Sequence, residues 1–206
     1  MKLRRLAVLG CLGLALAAVA GCGLPVDALP QPIPSDEVPS ALLAPTSTIA
    51  TPTNHGSRIP VAVYFVAPDG TQLVKTTQWV IPKITPQKLL DALDGGPTSI
   101  EFDQNIQSAL PPDAGLVSGG VTNGVLVVYL DQSYESLLPN QEPLYFAQIV
   151  WTATSLIGVK SLVFYYNEAT VAPVLGNGSI APAYLVARCD YAQLAPPKTP
   201  LSCPTQ

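Results

Sequence analysis

The sequence predicts an α+β fold: one small α/β sandwich domain, ordered ββαββαβββ, over residues 57–194. Three observations carry that expectation. The 22 prolines are densest on either side of this stretch. Between them, β-rich runs alternate with two helical runs. Hydrophobic residues make up 48% of the chain and charged ones 12%, which is not the composition of a disordered polyelectrolyte. A body of ~140 residues can bury about two thirds of its surface, so it needs neither metal nor disulfide to fold.

The elements follow in order. Residues 59–66 form a β-rich run ended by Pro68-Asp69-Gly70, a turn signal, and 71–81 return as a strand alternating Val74, Thr76, Gln78 and Val80 with Lys75, Thr77 and Trp79. Thr85-Pro86 reads as the cap and first residue of a helix with Leu89, Leu90 and Leu93 on one edge, stopped by Gly95-Gly96-Pro97. Residues 106–112 are expected to be irregular. Residues 116–118 and 121–130 read as strands, with a tight turn at Thr122-Asn123-Gly124. A second helix is expected over 143–157, capped by Asn140, burying Phe146, Ile149, Val150 and Ala153, with Gly158 past its end. Strands at 159–166, 170–175 and 183–189 complete the domain, joined at Asn167-Glu168 and Gly176-Asn177-Gly178. The helices are expected to cover one sheet face.

The flanks are different material. Lys2, Arg4 and Arg5 precede an apolar run, Leu6 to Ala20, too short for a permanent span, so residues 1–21 read as an export leader. Val19-Ala20-Gly21-Cys22 resembles the lipobox of bacterial lipoproteins, in which the cysteine thiol is acylated and becomes the first mature residue. Several acyl chains exceed the two-signal threshold for stable anchoring, so Cys22 is the expected lipidation site and membrane lipid the expected partner, on the extracytoplasmic face of the cell membrane. Residues 22–56 read as a Pro-rich linker reaching between roughly 30 Å as a coil and 110 Å as polyproline II, and 195–206 as a Pro-rich tail.

Chemistry is sparse. The chain holds 10 basic and 14 acidic residues; loss of the leader removes three basic ones and leaves −7, an average field that repels nucleic acid. The single histidine, His55, lies in the linker, away from any rigid frame that could hold a general base. No zinc-ligand spacing is present, and Asp91, Asp94, Glu101 and Asp103 read as a solvated acidic helix end rather than a metal site. Gly176-Asn177-Gly178-Ser179-Ile180-Ala181 fits a dinucleotide-binding spacing, but Pro182 and a β-like run follow where a helix N-terminus is needed, so it reads as a turn. Catalytic, cofactor and metal residues are therefore none. With Cys11 lost and Cys22 acylated, Cys189 and Cys203 remain as a candidate disulfide stapling the tail to the last strand. Tyr64, Trp79, Tyr145, Phe146 and Trp151 read as core aromatics; exposed, they would mark a contact surface.

Leu89-Leu90-Asp91-Ala92-Leu93 leading to Gly96-Pro97, Ala109-Leu110-Pro111-Pro112, Val121-Thr122-Asn123-Gly124-Val125, Val127-Val128-Tyr129-Leu130-Asp131, Ala147-Gln148-Ile149-Val150-Trp151-Thr152 and Gly158-Val159-Lys160-Ser161-Leu162-Val163-Phe164 together resemble the GerMN family of spore germination and sporulation lipoproteins. The resemblance covers roughly residues 60–190. It implies a fold similar to the ring-building modules of sporulation assemblies, a lipid-anchored envelope setting and no enzymatic activity. The same domain occurs in the larger actinobacterial lipoprotein LpqB, associated with a sensor kinase. The sequence is expected to carry a single such domain, without the tandem second copy of the germination protein.

The expected function is thus a non-catalytic envelope module that contacts an envelope protein or itself. The alternative is a lipoprotein binding a solute or cell-wall fragment in a pocket lined by some of Tyr64, Trp79, Tyr129 and Tyr145.

Overall fold

A computed structural model describes residues 57–203. The leader and the whole linker, Cys22 and His55 included, lie outside the described residues.

Strands β1 (Ile59–Val66) and β2 (Leu73–Val80) form an antiparallel hairpin, paired from Ile59↔Val80 to Val66↔Leu73. Its loop is set by Gly70 at φ 70° and by Asp69, whose carboxylate accepts the Thr71 amide at 3.1 Å. The second half of β1, Val63 to Val66, is buried on both faces. Helix α1 (Pro86–Asp94) begins where expected: Thr85 caps it by accepting the Lys88 amide, and Leu89, Leu90 and Leu93 face inward. A short helix α2 (Ser99–Asp103), unforeseen in the sequence, follows under a capping box in which the Thr98 and Glu101 side chains each accept the other's amide.

Strands β3 (Val117–Thr122) and β4 (Val125–Tyr129) make a second hairpin, turning at Asn123 and Gly124 with φ of 52° and 84°. The expected strands at 116–118 and 121–130 are corrected here: a register shift between Ser118 and Val121 keeps both pieces in one strand, and the turn divides 121–130. After a 3-10 segment, Gln132–Ser136, comes helix α3 (Glu142–Ala153). It ends four residues before the expected Ile157. The Thr154 hydroxyl donates to Val150 O at 2.6 Å, the Ser155 hydroxyl to Thr152 O at 2.7 Å and the Arg188 guanidinium to Trp151 O at 3.0 Å, so side chains take the last carbonyls. Its N-cap is Gln141, not Asn140, and makes no side-chain capping bond.

Strand β5 (Ser161–Tyr166) runs parallel to β4, and its other edge is shared by β6 (Ala169–Val171) and β7 (Leu185–Val186), both antiparallel to it. The last two strands are much shorter than 170–175 and 183–189. Pro173 and Pro182 supply no amide for a ladder, and the chain instead makes a bridge at Val174↔Ile180 and a 3-10 segment, Arg188–Leu194.

All nine residues from Tyr145 to Ala153 of α3 are buried. A helix apolar around its circumference must be covered on more than one side. On one side Trp151 meets Tyr64 of β1 with ring centroids 5.3 Å apart; on another Phe146 meets Phe164 of β5 at 5.0 Å. The layering is therefore hairpin, helix and five-stranded sheet, rather than helices laid only over one sheet face. Among the described residues no helix is long and apolar enough to cross a membrane.

Candidate functional site

The acidic residues around α1 and α2 are taken up in local structure. Asp91 accepts from Gln87 Nε2 at 2.7 Å, and Asp94 accepts the Ala114 amide at 2.9 Å. Glu101 accepts from Thr98 N, Thr98 Oγ1 and Gln78 Nε2 at 2.7, 2.9 and 3.2 Å. Among the described residues no three His, Cys, Asp or Glu side chains converge as a metal site would require. The Gly176–Ala181 segment is a turn: Asn177 Oδ1 accepts the Ser179 amide at 2.9 Å, and the strand-like bridge at Ile180 stands where a phosphate-binding helix would begin.

Cys189 and Cys203 are joined in a disulfide, with their Cα atoms 5.5 Å apart. Arg188, beside it, lies over the rings of Trp151 at 4.8 Å and Tyr64 at 5.6 Å and donates from Nε to Thr154 Oγ1 at 2.7 Å. That cation fastens the C-terminal segment to α3.

The aromatic residues named from sequence divide. Tyr64, Tyr145, Phe146 and Trp151 are core residues. Burial pushes the Tyr145 and Tyr191 phenols well above the ordinary tyrosine range, with nearby Tyr134 adding to the effect at Tyr145 and Asp190 at Tyr191. Trp79 is 40% exposed and borders an open groove of about 570 Å³ with Arg58, Ile81, Lys88 and Asp91. Tyr129, 46% exposed, stands on another element beside Tyr165. Of the four aromatics, some of which were expected to line a pocket, Trp79 alone borders this groove; Tyr64 and Tyr145 are in the core and Tyr129 stands elsewhere on the surface.

The five-stranded sheet has two unlike faces. Leu126 and Val128 of β4 and Leu162 and Phe164 of β5 point inward and are fully buried. Alternate residues point the other way, as strand geometry requires. One cross-strand row runs Val117, Tyr129, Tyr165, Thr170; the next runs Val127, Val163, Leu185. The Tyr129 and Tyr165 rings lie 5.8 Å apart. Val117 and Leu185 are about half exposed, at 53% and 48%. At Gly119 a Cβ would come within 2.8 Å of Val127 Cβ and 3.2 Å of Tyr129 Cε2, so glycine lets these two side chains lie over the strand. No carboxylate, amine or guanidinium belongs to either row. A sheet face turned to water ordinarily carries polar residues; on this mixed sheet the face is apolar, and contiguous apolar surface marks contact sites. Sequence alternation in β4 and β5 held the signal, but it emerges only when neighbouring strands are put in register.

The domain is thus a small mixed α/β module with two sheets and few helices. The sequence matches the Germane family, described as sporulation and spore germination, over residues 62–172, more than half of its length, and the chain belongs to that family. The described elements from Pro173 onward, β7 and the disulfide included, lie beyond the matched span. Among solved structures, the tandem GerMN domains of the sporulation protein GerM from Bacillus subtilis align with 15% identity and a TM-score of 0.47, covering 56% of this chain and 42% of that one. The chain thus spans about two fifths of that protein. The first GerMN domain of the same protein alone gives 15% identity and 0.44, over 55% of this chain and 86% of that one. A candidate lipoprotein from Clostridium perfringens gives 20% identity and 0.42, over 67% and 93%. None of the curated proteins matches the chain.

Proposed function

We propose that this protein is a lipid-anchored, non-catalytic module of the cell envelope, held on the extracytoplasmic side of the membrane through acylated Cys22, whose domain binds another protein through the helix-free face of its five-stranded sheet. The observation that carries the reading is the uncharged apolar face on which Val117, Tyr129 and Leu185 are about half exposed and Tyr165, Val127 and Val163 partly so. The lipobox-like Val19-Ala20-Gly21-Cys22 and the Pro-rich spacer behind it support the anchor. Engagement of the acidic groups in caps and turns supports a structural rather than catalytic use of the side chains.

Two measurements test it. Labelling cells with a radioactive or clickable fatty acid should mark the wild-type chain in the membrane fraction and leave Cys22→Ser unlabelled and unanchored; labelling of the variant would refute the anchor. A photo-crosslinking residue at Val127, in the intact membrane, should capture a protein, whereas one at Lys75 on the hairpin should not. Robust hydrolysis of peptidoglycan or esters by the pure protein, abolished by point substitution, would refute the non-catalytic reading.

A further inference from the structure

We propose that the end of the domain where β1 begins and α3 finishes docks on the surface of the anchoring membrane, its exposed apolar side chains resting among anionic phospholipid headgroups. The inference rests on the reading of Cys22 as the lipid anchor and gives the same chain a second contact with the bilayer.

Chain direction defines that end. Strand β1 starts there, one residue after Arg58, and α3 finishes there: the Ser155 hydroxyl donates to Ala62 O at 3.1 Å, and Leu156 shares a small cleft with Pro60 and Ile84. Strands β4 and β5 start there as well, where Lys160 N donates to Gly124 O at 2.7 Å. The stretch of chain that leads from Cys22 to the domain therefore joins it at this end.

The loops at this end display apolar side chains. Ile157, between α3 and β5, is 100% exposed, and Ile81, after β2, is 63% exposed. Trp79, opposite Pro60 in the hairpin, borders the groove that Ile81 also lines, and an indole suits the boundary between headgroups and hydrocarbon. The loop carrying Ile81 is held in place: Lys88 Nζ donates to the carbonyls of Ile81, Pro82 and Lys83 at 3.3, 3.0 and 3.1 Å.

Charge selects the bilayer. Residues 57–203 contain 7 Lys and Arg against 11 Asp and Glu, yet Arg58, Lys83, Lys88 and Lys160 all belong to this end. Asp91 and Glu101 stand near the groove, and each carboxylate is bonded to neutral side chains, Asp91 to Gln87 and Glu101 to Thr98 and Gln78. At the other end of the strands, Asp69, Asp131, Glu135, Glu142 and Glu168 occupy the turns and the first turn of α3. A domain charged in this way turns its basic end toward an anionic surface and its acidic end away. An uncharged partner would draw nothing from that separation.

Tethering makes a small patch sufficient. An anchored domain meets its own bilayer as an intramolecular event, at a high effective concentration, so a contact too weak to hold a free protein still forms.

The test uses the full acylated chain in vesicles of phosphatidylglycerol and phosphatidylcholine, with a polarity-sensitive fluorophore on Ile157→Cys or, at the acidic end, on Gln132→Cys. The label at 157 should shift to the blue and be quenched by lipids brominated on their acyl chains; the label at 132 should do neither. Lys83→Gln and Lys160→Gln should each lower the docked-to-free ratio roughly fivefold, the effect of one cation at an anionic surface. No response at 157, an equal response at 132, or an equal response in phosphatidylcholine alone overturns the proposal. So does a response seen in native membranes but missing in pure lipid, which assigns this end to a protein partner. Failure with Cys22 acylated leaves the anchor standing, whereas a Cys22 that takes no acyl chain removes both readings.

Discussion

The Thr152 hydroxyl of α3 accepts the backbone N–H of Tyr64 in β1 at 3.0 Å, joining residues 88 apart in the chain. The carbonyl of Tyr64 accepts from Gln148 Nε2 at 3.1 Å, and that of Ala62 from the Ser155 hydroxyl at 3.1 Å. Val66 exchanges backbone bonds with Gln107. The outer edge of the first hairpin is thus completed by side chains of a helix and one loop residue instead of a third strand. Thr152→Val keeps the shape and removes the acceptor, leaving a buried amide unpaired. A loss of about 1–3 kcal/mol in denaturant unfolding is expected, with Thr152→Ser close to wild type.

Arg188 lies over Trp151 and Tyr64 and also bonds Thr154 and the Trp151 carbonyl. Arg188→Lys keeps the charge but loses the planar fork that serves both hydroxyl and carbonyl. A drop of roughly 1–2 kcal/mol is expected, with a shift in Trp151 fluorescence that Lys198→Ala does not produce.

The Cys189–Cys203 disulfide closes a segment with a sequence separation of 14. On the chain-entropy account a loop of that size contributes about 3 kcal/mol. Reductant, or Cys203→Ser, should lower Tm by several degrees, and thiol titration of the denatured wild-type chain should find neither of these two cysteines free.

Tyr145 and Tyr191 are buried, and among the described residues their hydroxyls make no hydrogen bond. Desolvation raises both phenols, so their folded pKa lies above the unfolded value near 10. Their contribution to stability is whole below that value and is lost as pH rises beyond it, because only the unfolded chain then releases the protons readily. Absorbance at 295 nm should show the other tyrosines titrating first and these two appearing together with alkaline unfolding. Tyr191→Phe and Tyr145→Phe should each move that unfolding to higher pH without lowering stability at neutral pH.

Local rules located the elements whose ends carry their own chemistry. Pro68-Asp69-Gly70, Thr85-Pro86 and Asn123-Gly124 mark turns and caps through backbone preferences that do not depend on the rest of the molecule. The capping box at Thr98 and Glu101 is equally local and was legible in the sequence, yet α2 has only five residues and no apolar period to draw attention. The length of α3 was not legible, because Thr154, Ser155 and the distant Arg188 decide where its carbonyls find partners. Nor was the apolar face: Val127, Val163 and Leu185 become neighbours only through a parallel pairing between β4 and β5 and an antiparallel one from beyond the matched family span. The interior aromatics were read correctly as core at Tyr145, Phe146 and Trp151, whereas Trp79 lies at the surface.

The sealing of β1 by Gln148, Thr152 and Ser155 has a consequence for the order of synthesis. The outer-edge groups of β1, Tyr64 N, Tyr64 O and Ala62 O, are synthesised some ninety residues before the side chains that cover them. Until then the nascent chain holds an open, sticky strand, the kind of species that recruits chaperones or aggregates. Chains truncated before residue 148 should therefore be recovered as insoluble or chaperone-bound material, because the groups that cover β1 are missing.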